Sequence, residues 1–174
     1  MCINFEDAIL PFGNGNDDGS PNLEAWRYFK KMYPSMPSSE RLYNQLRHIY
    51  THYPYDLEEF YSFLKDSLDN ETNAERQKRI DGNRKALHDY LDDGDFLKLF
   101  RGVNDYSLPI ECALSYTLDK KVAEFFSNRR LSENAELIET AFHINDIILY
   151  TNCRNEKEVI VVPECLDCLD WYFG

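Results

Sequence analysis

Basic residues are scarce in this chain: 19 Lys and Arg stand against 31 Asp and Glu, a formal net charge of −12 over 174 residues. So acidic a chain repels a phosphate backbone, which argues against generic nucleic-acid binding. The candidate basic patches, Arg129-Arg130 and Arg76-Gln77-Lys78-Arg79, read most simply as solvated faces. No stretch approaches the roughly 20 apolar residues that a membrane span needs. The opening residues Met1 to Asp7 have neither the basic region nor the long apolar run of a secretory signal, so a cytoplasmic location is expected. Cysteines are few and odd in number (Cys2, Cys112, Cys153, Cys165, Cys168), which fits a reducing compartment and excludes a complete disulfide framework. Internal repeats, low-complexity segments, a Walker loop, a Ser-His-Asp order and a His-Glu-x-x-His helix are all missing.

Two partial motifs fail on inspection. Residues 13–19 (GNGNDDG) resemble a dinucleotide fingerprint, but the third glycine comes one place late and no strand-helix-strand unit surrounds it. As a calcium loop the same segment would place Ala25 where a bidentate glutamate is required. Cys165-Leu166-Asp167-Cys168 is a lone Cys-x-x-Cys; Cys153 and His143 could join it around zinc, but reduced thiols are the simpler reading and no metal is expected.

What the chain has is apolar residues at 43% and aromatic residues at 14%, enough for a real core. Residues 11–22 are loop-like, and a helical half follows. Leu23 to Tyr33 reads as a helix stopped by Pro34, and Leu42, Leu46 and Ile49 recur at helical spacing in a second. Asp56 with Glu59 resembles a capping box before the stripe Leu57, Phe60, Leu64 and Leu68. A fourth helix is predicted from about Asn73, with Gly94 as its C-cap. Tyr28, Tyr33, Tyr43, Tyr50, Tyr53, Tyr55 and Tyr61 crowd this half, most simply as edges of a core and otherwise as a partner-binding face. After Gly94 the period shortens. Phe96–Arg101, Ile110–Ser115, Leu137–Ile144, Ile147–Thr151, Val159–Val162 and Trp171–Phe173 read as strands. One helix interrupts them, Asp119 to Ser127, with Asp119 as N-cap and Val122, Phe125 and Phe126 on its buried side. The predicted class is α+β: a helical region over 1–94, then a mostly antiparallel sheet over 95–174.

Three segments carry chemistry. Arg101 ends an apolar run and is followed by Gly102; a guanidinium grips phosphate in a fixed fork, although a strand-end arginine is often only a surface ion pair. Gly102 lets a backbone approach closely, or is an ordinary turn glycine. Ser115 and Thr117 lie two apart around Tyr116, so on a strand they share a face. Glu156 and Glu158 open the run Val159–Val162 and would project to one side, where mutual repulsion raises the proton affinity of one; alone, such a pair reads as solvated.

In that order, arginine, Ser-x-Thr and Glu-x-Glu resemble the mono-ADP-ribosyltransferases of the arginine-serine-glutamate branch, the group that includes the cholera-toxin-like enzymes. The resemblance covers under half of the chain and implies a split antiparallel β-sandwich that uses NAD without a metal. It makes Arg101 the pyrophosphate anchor and gives Gly102 main-chain bonds to the nicotinamide. The Ser-x-Thr element, Ser115 and Thr117, would brace the sheet and position the catalytic glutamate, and Ser115, Tyr116, Thr117, Phe126 and Arg130 would stand among the NAD-contacting residues. Glu158 would stabilise the cationic ribose of an oxocarbenium-like transition state, and Glu156 would orient the incoming nucleophile. A glutamate at position 156 goes, in that family, with modification of protein arginine. Two departures leave the target class open: the short catalytic portion and the missing second serine. A bacterial or phage protein is implied, with an inhibitor or antitoxin as a conceivable partner. The alternatives are transfer to RNA or DNA, and a non-enzymatic interaction protein that retains the fold.

Overall fold

The computed structural model describes residues 27, 30–31, 33–35, 57–129, 132–152 and 155–164. The chain forms two compact units, Met1–Asn73 and Ala74–Gly174. The expected boundary at 94/95 thus moves to 73/74, for a reason visible in the second core below.

In the first unit, Arg27, Lys30 and Lys31 are helical, and a 3-10 turn over Tyr33–Ser35 includes Pro34, where the helix was expected to stop. Helix α1 spans Leu57–Asp69. Of the predicted stripe, Leu64 is buried and Leu68 half-buried, while the side chains of Leu57 and Phe60 lie outside the described residues; Tyr61 is buried as well. The buried Tyr33 ring stacks 4.4 Å from that of Phe63. Its hydroxyl lies 2.6 Å from Ser67 Oγ, 2.9 Å from the Phe63 carbonyl and 3.0 Å from Asp66 Oδ2. Tyr33 and Tyr61 therefore serve the core, as the simpler reading has it. The loop at 11–22, the helix at 42–49, the capping residue Asp56 and the other five tyrosines lie outside the described residues.

The second unit begins with helix α2, Asn73–Leu87. Its exposed surface is polar, but Ile80 and Leu87 sit in the same buried cluster as sheet residues Leu97, Leu99, Tyr116, Val159 and Val161. That shared core is why α2 belongs with the sheet. The helix stops at Leu87, before Gly94, and a short 3-10 turn follows over His88–Tyr90. Gly94 is instead part of the turn into the sheet, where Asp92 Oδ1 accepts from Gly94 N at 2.9 Å and Phe96 N at 2.8 Å.

Five antiparallel strands form one sheet in the order β3-β1-β2-β5-β4. They are β1 (Phe96–Val103), β2 (Ser115–Thr117), β3 (Glu136–His143), β4 (Ile147–Thr151) and β5 (Glu158–Val161). The predicted strand at 110–115 is largely absent: Ile110–Cys112 is a 3-10 turn and only Ser115 joins β2. Its apolar run Cys112, Ala113 and Leu114 is buried, which mimics a strand, but Pro109 and the turn interrupt the ladder just upstream. Trp171–Phe173 lies outside the described residues.

A β-bulge falls between Ile147 and Leu149 of β4. Bulges leave carbonyls unpaired, and a buried unpaired carbonyl costs about 1–3 kcal/mol. Helix α2 supplies the missing donors. Asn83 Nδ2 donates to the carbonyls of Ile147 (2.9 Å) and Ile148 (3.3 Å), and the buried Arg79 Nη1 donates to Ile147 at 2.7 Å.

Helix α3, Lys120–Asn128, packs on β1. Asp119 caps it as expected, its side chain accepting from Lys121 N at 2.9 Å. The expected buried face does not hold: Ala123 and Ser127 are buried, Val122 and Phe126 are half-buried, and Phe125 is 63% exposed. Small residues face β1 because the helix backbone comes very close to the strand at Gly102. A β-carbon built there would lie 2.0 Å from the Ala123 carbonyl oxygen and 2.5 Å from Ser127 N.

Candidate functional site

The pairing register places one row of residues across the whole sheet: Glu139, Phe100, Thr117, Glu158 and Thr151. Residues two apart on a strand share a face, so Ser115 stands with Thr117 and Glu158. Tyr116, Val159, Leu97 and Leu99 take the opposite face, the face of the apolar core. Arg101 alternates with Phe100 and belongs to that core face as well.

Glu158 begins β5 and is only 7% exposed. Ser115 Oγ donates to its Oε1 at 2.5 Å, diagonally across the β2–β5 ladder. A charge-assisted O–H···O bond of this length fixes a carboxylate firmly. Arg101 is joined to the same serine from behind: its Nη1 donates to the Ser115 carbonyl at 2.6 Å, and its guanidinium carbon lies 5.8 Å from the centre of the Tyr116 ring. Arg101, Ser115 and Glu158, chosen from separate segments of the sequence, are thus linked in space through Ser115. The Arg101 Nε is buried and has no hydrogen-bond partner among the described residues.

Thr117 is 6% exposed, and backbone groups occupy its hydroxyl. Oγ1 accepts from Asp119 N at 3.0 Å, so its one proton goes to the Glu156 carbonyl at 2.6 Å. These two bonds use the hydroxyl's one proton and one of its two lone pairs. Tyr116 turns into the core, where its ring centre lies 5.0 Å from that of Phe142, so it is separated from the face of Ser115 and Thr117. Burial pushes the Tyr116 phenol above its usual 10.0, with Arg101 opposing and Glu164 and Glu111 adding to the rise.

Glu156 does not share a face with Glu158 by strand alternation. The strand starts at Glu158, and Asn155 and Lys157 have φ of 57° and 46°. A period of two needs extended backbone at the residue between, and Lys157 is left-handed. Gly102 gives room to α3 rather than showing an approach to a ligand. Phe126 is half-buried at the end of α3: its ring meets that of Phe125 edge-to-face at 5.5 Å, Arg129 lies 5.8 Å over it, and its carbonyl accepts from Asn104 Nδ2 at 3.2 Å. Arg130 lies outside the described residues.

Two residues near the site carry no signal in a motif search. Thr151 sits opposite Glu158 on β4. Asn152 Oδ1 accepts from Lys157 N at 3.0 Å, and an asparagine just after an apolar run is the sort of turn signal that could have pointed to it. Among the described residues no group of three or more His, Cys, Asp or Glu could hold a metal ion. His143 is used locally, its Nδ1 accepting from Asn145 N at 3.2 Å. Cys112 is buried, and burial pushes its thiol pKa up, with Glu111 adding to the rise.

No family model matches the chain, and neither a curated protein nor a solved structure matches it.

Proposed function

We propose that the chain is a mono-ADP-ribosyltransferase of the arginine-serine-glutamate branch, which moves ADP-ribose from NAD to a protein side chain, first of all arginine, and releases nicotinamide. The observation that carries the reading is the Ser115–Glu158 bond at 2.5 Å together with the Arg101–Ser115 bond at 2.6 Å. On this reading the five-stranded sheet belongs to a split antiparallel β-sandwich, and the protein acts in the cytoplasm of a bacterial or phage-infected cell.

The chemistry breaks the nicotinamide–ribose bond, with the electron pair leaving on nicotinamide and positive charge growing on the sugar. Glu158, fixed by Ser115, offers a carboxylate to that charge without having to reorganise. Arg101 is the candidate anchor for the pyrophosphate, because a guanidinium binds phosphate in a fixed fork, and one of its donors is spent on the Ser115 carbonyl. Glu156 is the candidate to orient the acceptor and take its proton.

A second reading, transfer to RNA or DNA, draws on α3. Exposed Phe125 has Lys121 and Arg129 one turn away on either side, and Lys120 is exposed nearby. Base stacking on an aromatic ring between cations suits a single strand. Glu124 interrupts this patch, and the net charge of −12 opposes it, which keeps protein first.

The deciding experiment incubates the protein with labelled NAD and bacterial lysate, beside Glu158→Gln. Label that protease removes supports the protein acceptor, and label that nuclease removes supports the second reading. An equally active Glu158→Gln, or no label and no released nicotinamide, overturns the enzyme assignment.

A further inference from the structure

The loop between β4 and β5 carries Glu156, and the strand ladder does not hold it. Lys157 adopts φ 46° directly before the buried Glu158. A left-handed non-glycine residue costs about 1–3 kcal/mol and persists only where its surroundings impose it. Here three bonds impose it. Asn152 Oδ1 accepts from Lys157 N at 3.0 Å, the Lys157 carbonyl accepts from Leu118 N at 3.1 Å, and Thr117 Oγ1 donates to the Glu156 carbonyl at 2.6 Å. Asn155 N also donates to the Asn152 carbonyl at 3.1 Å, closing the turn. Both peptide groups of Lys157 are thus fixed, and so is the carbonyl of Glu156. The two members of the Ser-x-Thr element have separate tasks: Ser115 holds the Glu158 carboxylate, and Thr117 holds the backbone of Glu156.

We infer that Asn152 and Thr117 are positioning residues for Glu156 and govern transfer to the acceptor, separately from cleavage of NAD. This rests on the ADP-ribosyltransferase reading above. In transfer, the lone pair of an acceptor nitrogen forms the new bond to the ribose carbon as the nicotinamide bond breaks, and the nitrogen gives its proton to Glu156. In hydrolysis, water supplies the oxygen and its proton passes to solvent, so a misplaced Glu156 matters less. A loosened clasp sends ADP-ribose to water.

The test measures nicotinamide release and ADP-ribose incorporation in the same sample, with the full-length protein and a guanidino compound such as agmatine as acceptor. Asn152→Ala and Thr117→Val are expected to lower the ratio of incorporation to release about tenfold or more, since a misplaced base loses most of its effect. Asn152→Ala should keep nicotinamide release within about threefold of the wild type. Asn152→Asp retains the acceptor for Lys157 N, Thr117→Ser retains the hydroxyl, and both should restore the ratio. An unchanged ratio, or a fall that the conservative variants share, overturns the inference while leaving NAD cleavage intact. A wild-type protein that releases no nicotinamide overturns the parent reading instead, and this inference with it.

Discussion

Along β2 and β5, Tyr116, Val159 and Val161 alternate with Ser115, Thr117 and Glu158; Ser115 is half-buried, and the other five are almost equally hidden from solvent. Tyr116 is 3% exposed and Val159 0%; Thr117 is 6% and Glu158 7%. What differs is how each face tolerates burial. The first set needs only neighbours of the right volume, and Leu97, Leu99, Ile144 and Ile147 supply them. The second needs a partner for every polar group, and it has found them: Ser115 for Glu158, and backbone N–H and carbonyl groups for Thr117. One face is therefore a matter of stability. The other is a matter of geometry, where an error costs function before it costs the fold.

The largest test of this contrast is Leu99→Ala on the apolar face, where the side chain is fully buried. A loss of about 2–5 kcal/mol is expected in urea unfolding; a loss below 1 would show that the two faces are not so different. Glu158→Gln should do the reverse. It keeps an acceptor for Ser115, so the melting temperature should stay within a few degrees, while nicotinamide release falls about a hundredfold or more. A large drop in melting temperature would make Glu158 a structural residue after all. Asn83→Ala probes the bulge behind β4. Taking a donor from the Ile147 and Ile148 carbonyls should cost about 1–3 kcal/mol, read from denaturant midpoints at constant slope. The smallest effect lies in the loops. Hydrogen bonds from Ser132 first, and then from Asn134, hold the exposed Asp105 carboxyl below its usual 3.8. A lowered pKa means stability that is full above 3.8 and is lost as pH falls through the folded value. The difference in melting temperature between wild type and Asp105→Asn should therefore shrink from pH 7 to pH 3, and a difference that grows would contradict the sign.

The sequence was most legible where a side-chain period ran undisturbed. Ile147–Thr151 is found with its predicted bounds, β1 and β3 within two residues, and the Asp119 cap in its place. Legibility failed where local backbone chemistry overrode the period. Pro109 and a 3-10 turn break the apolar run at Ile110, and the left-handed Lys157 breaks the alternation that would join Glu156 to Glu158. On the inner side of α3, apolar size points to Phe125, whereas the contact with β1 admits only small residues. Within the candidate site, the residue types were readable from spacing, but the hydrogen bonds from Ser115, Thr117 and Asn152 were not. Such bonds depend on strand register and loop path, which no local pattern specifies.

The seat of α3 on Gly102 gives one position leverage out of proportion to its size. The atoms that crowd it belong to the main chain of Ala123 and Ser127, so no rotamer can swing aside to admit a methyl group. An alanine there would act as a wedge. It would lift the helix whose first turn begins at Asp119, and Asp119 N is bonded to Thr117 Oγ1. In a random-mutant screen, position 102 would be scored as part of the site although its glycine has no side chain to take part in chemistry.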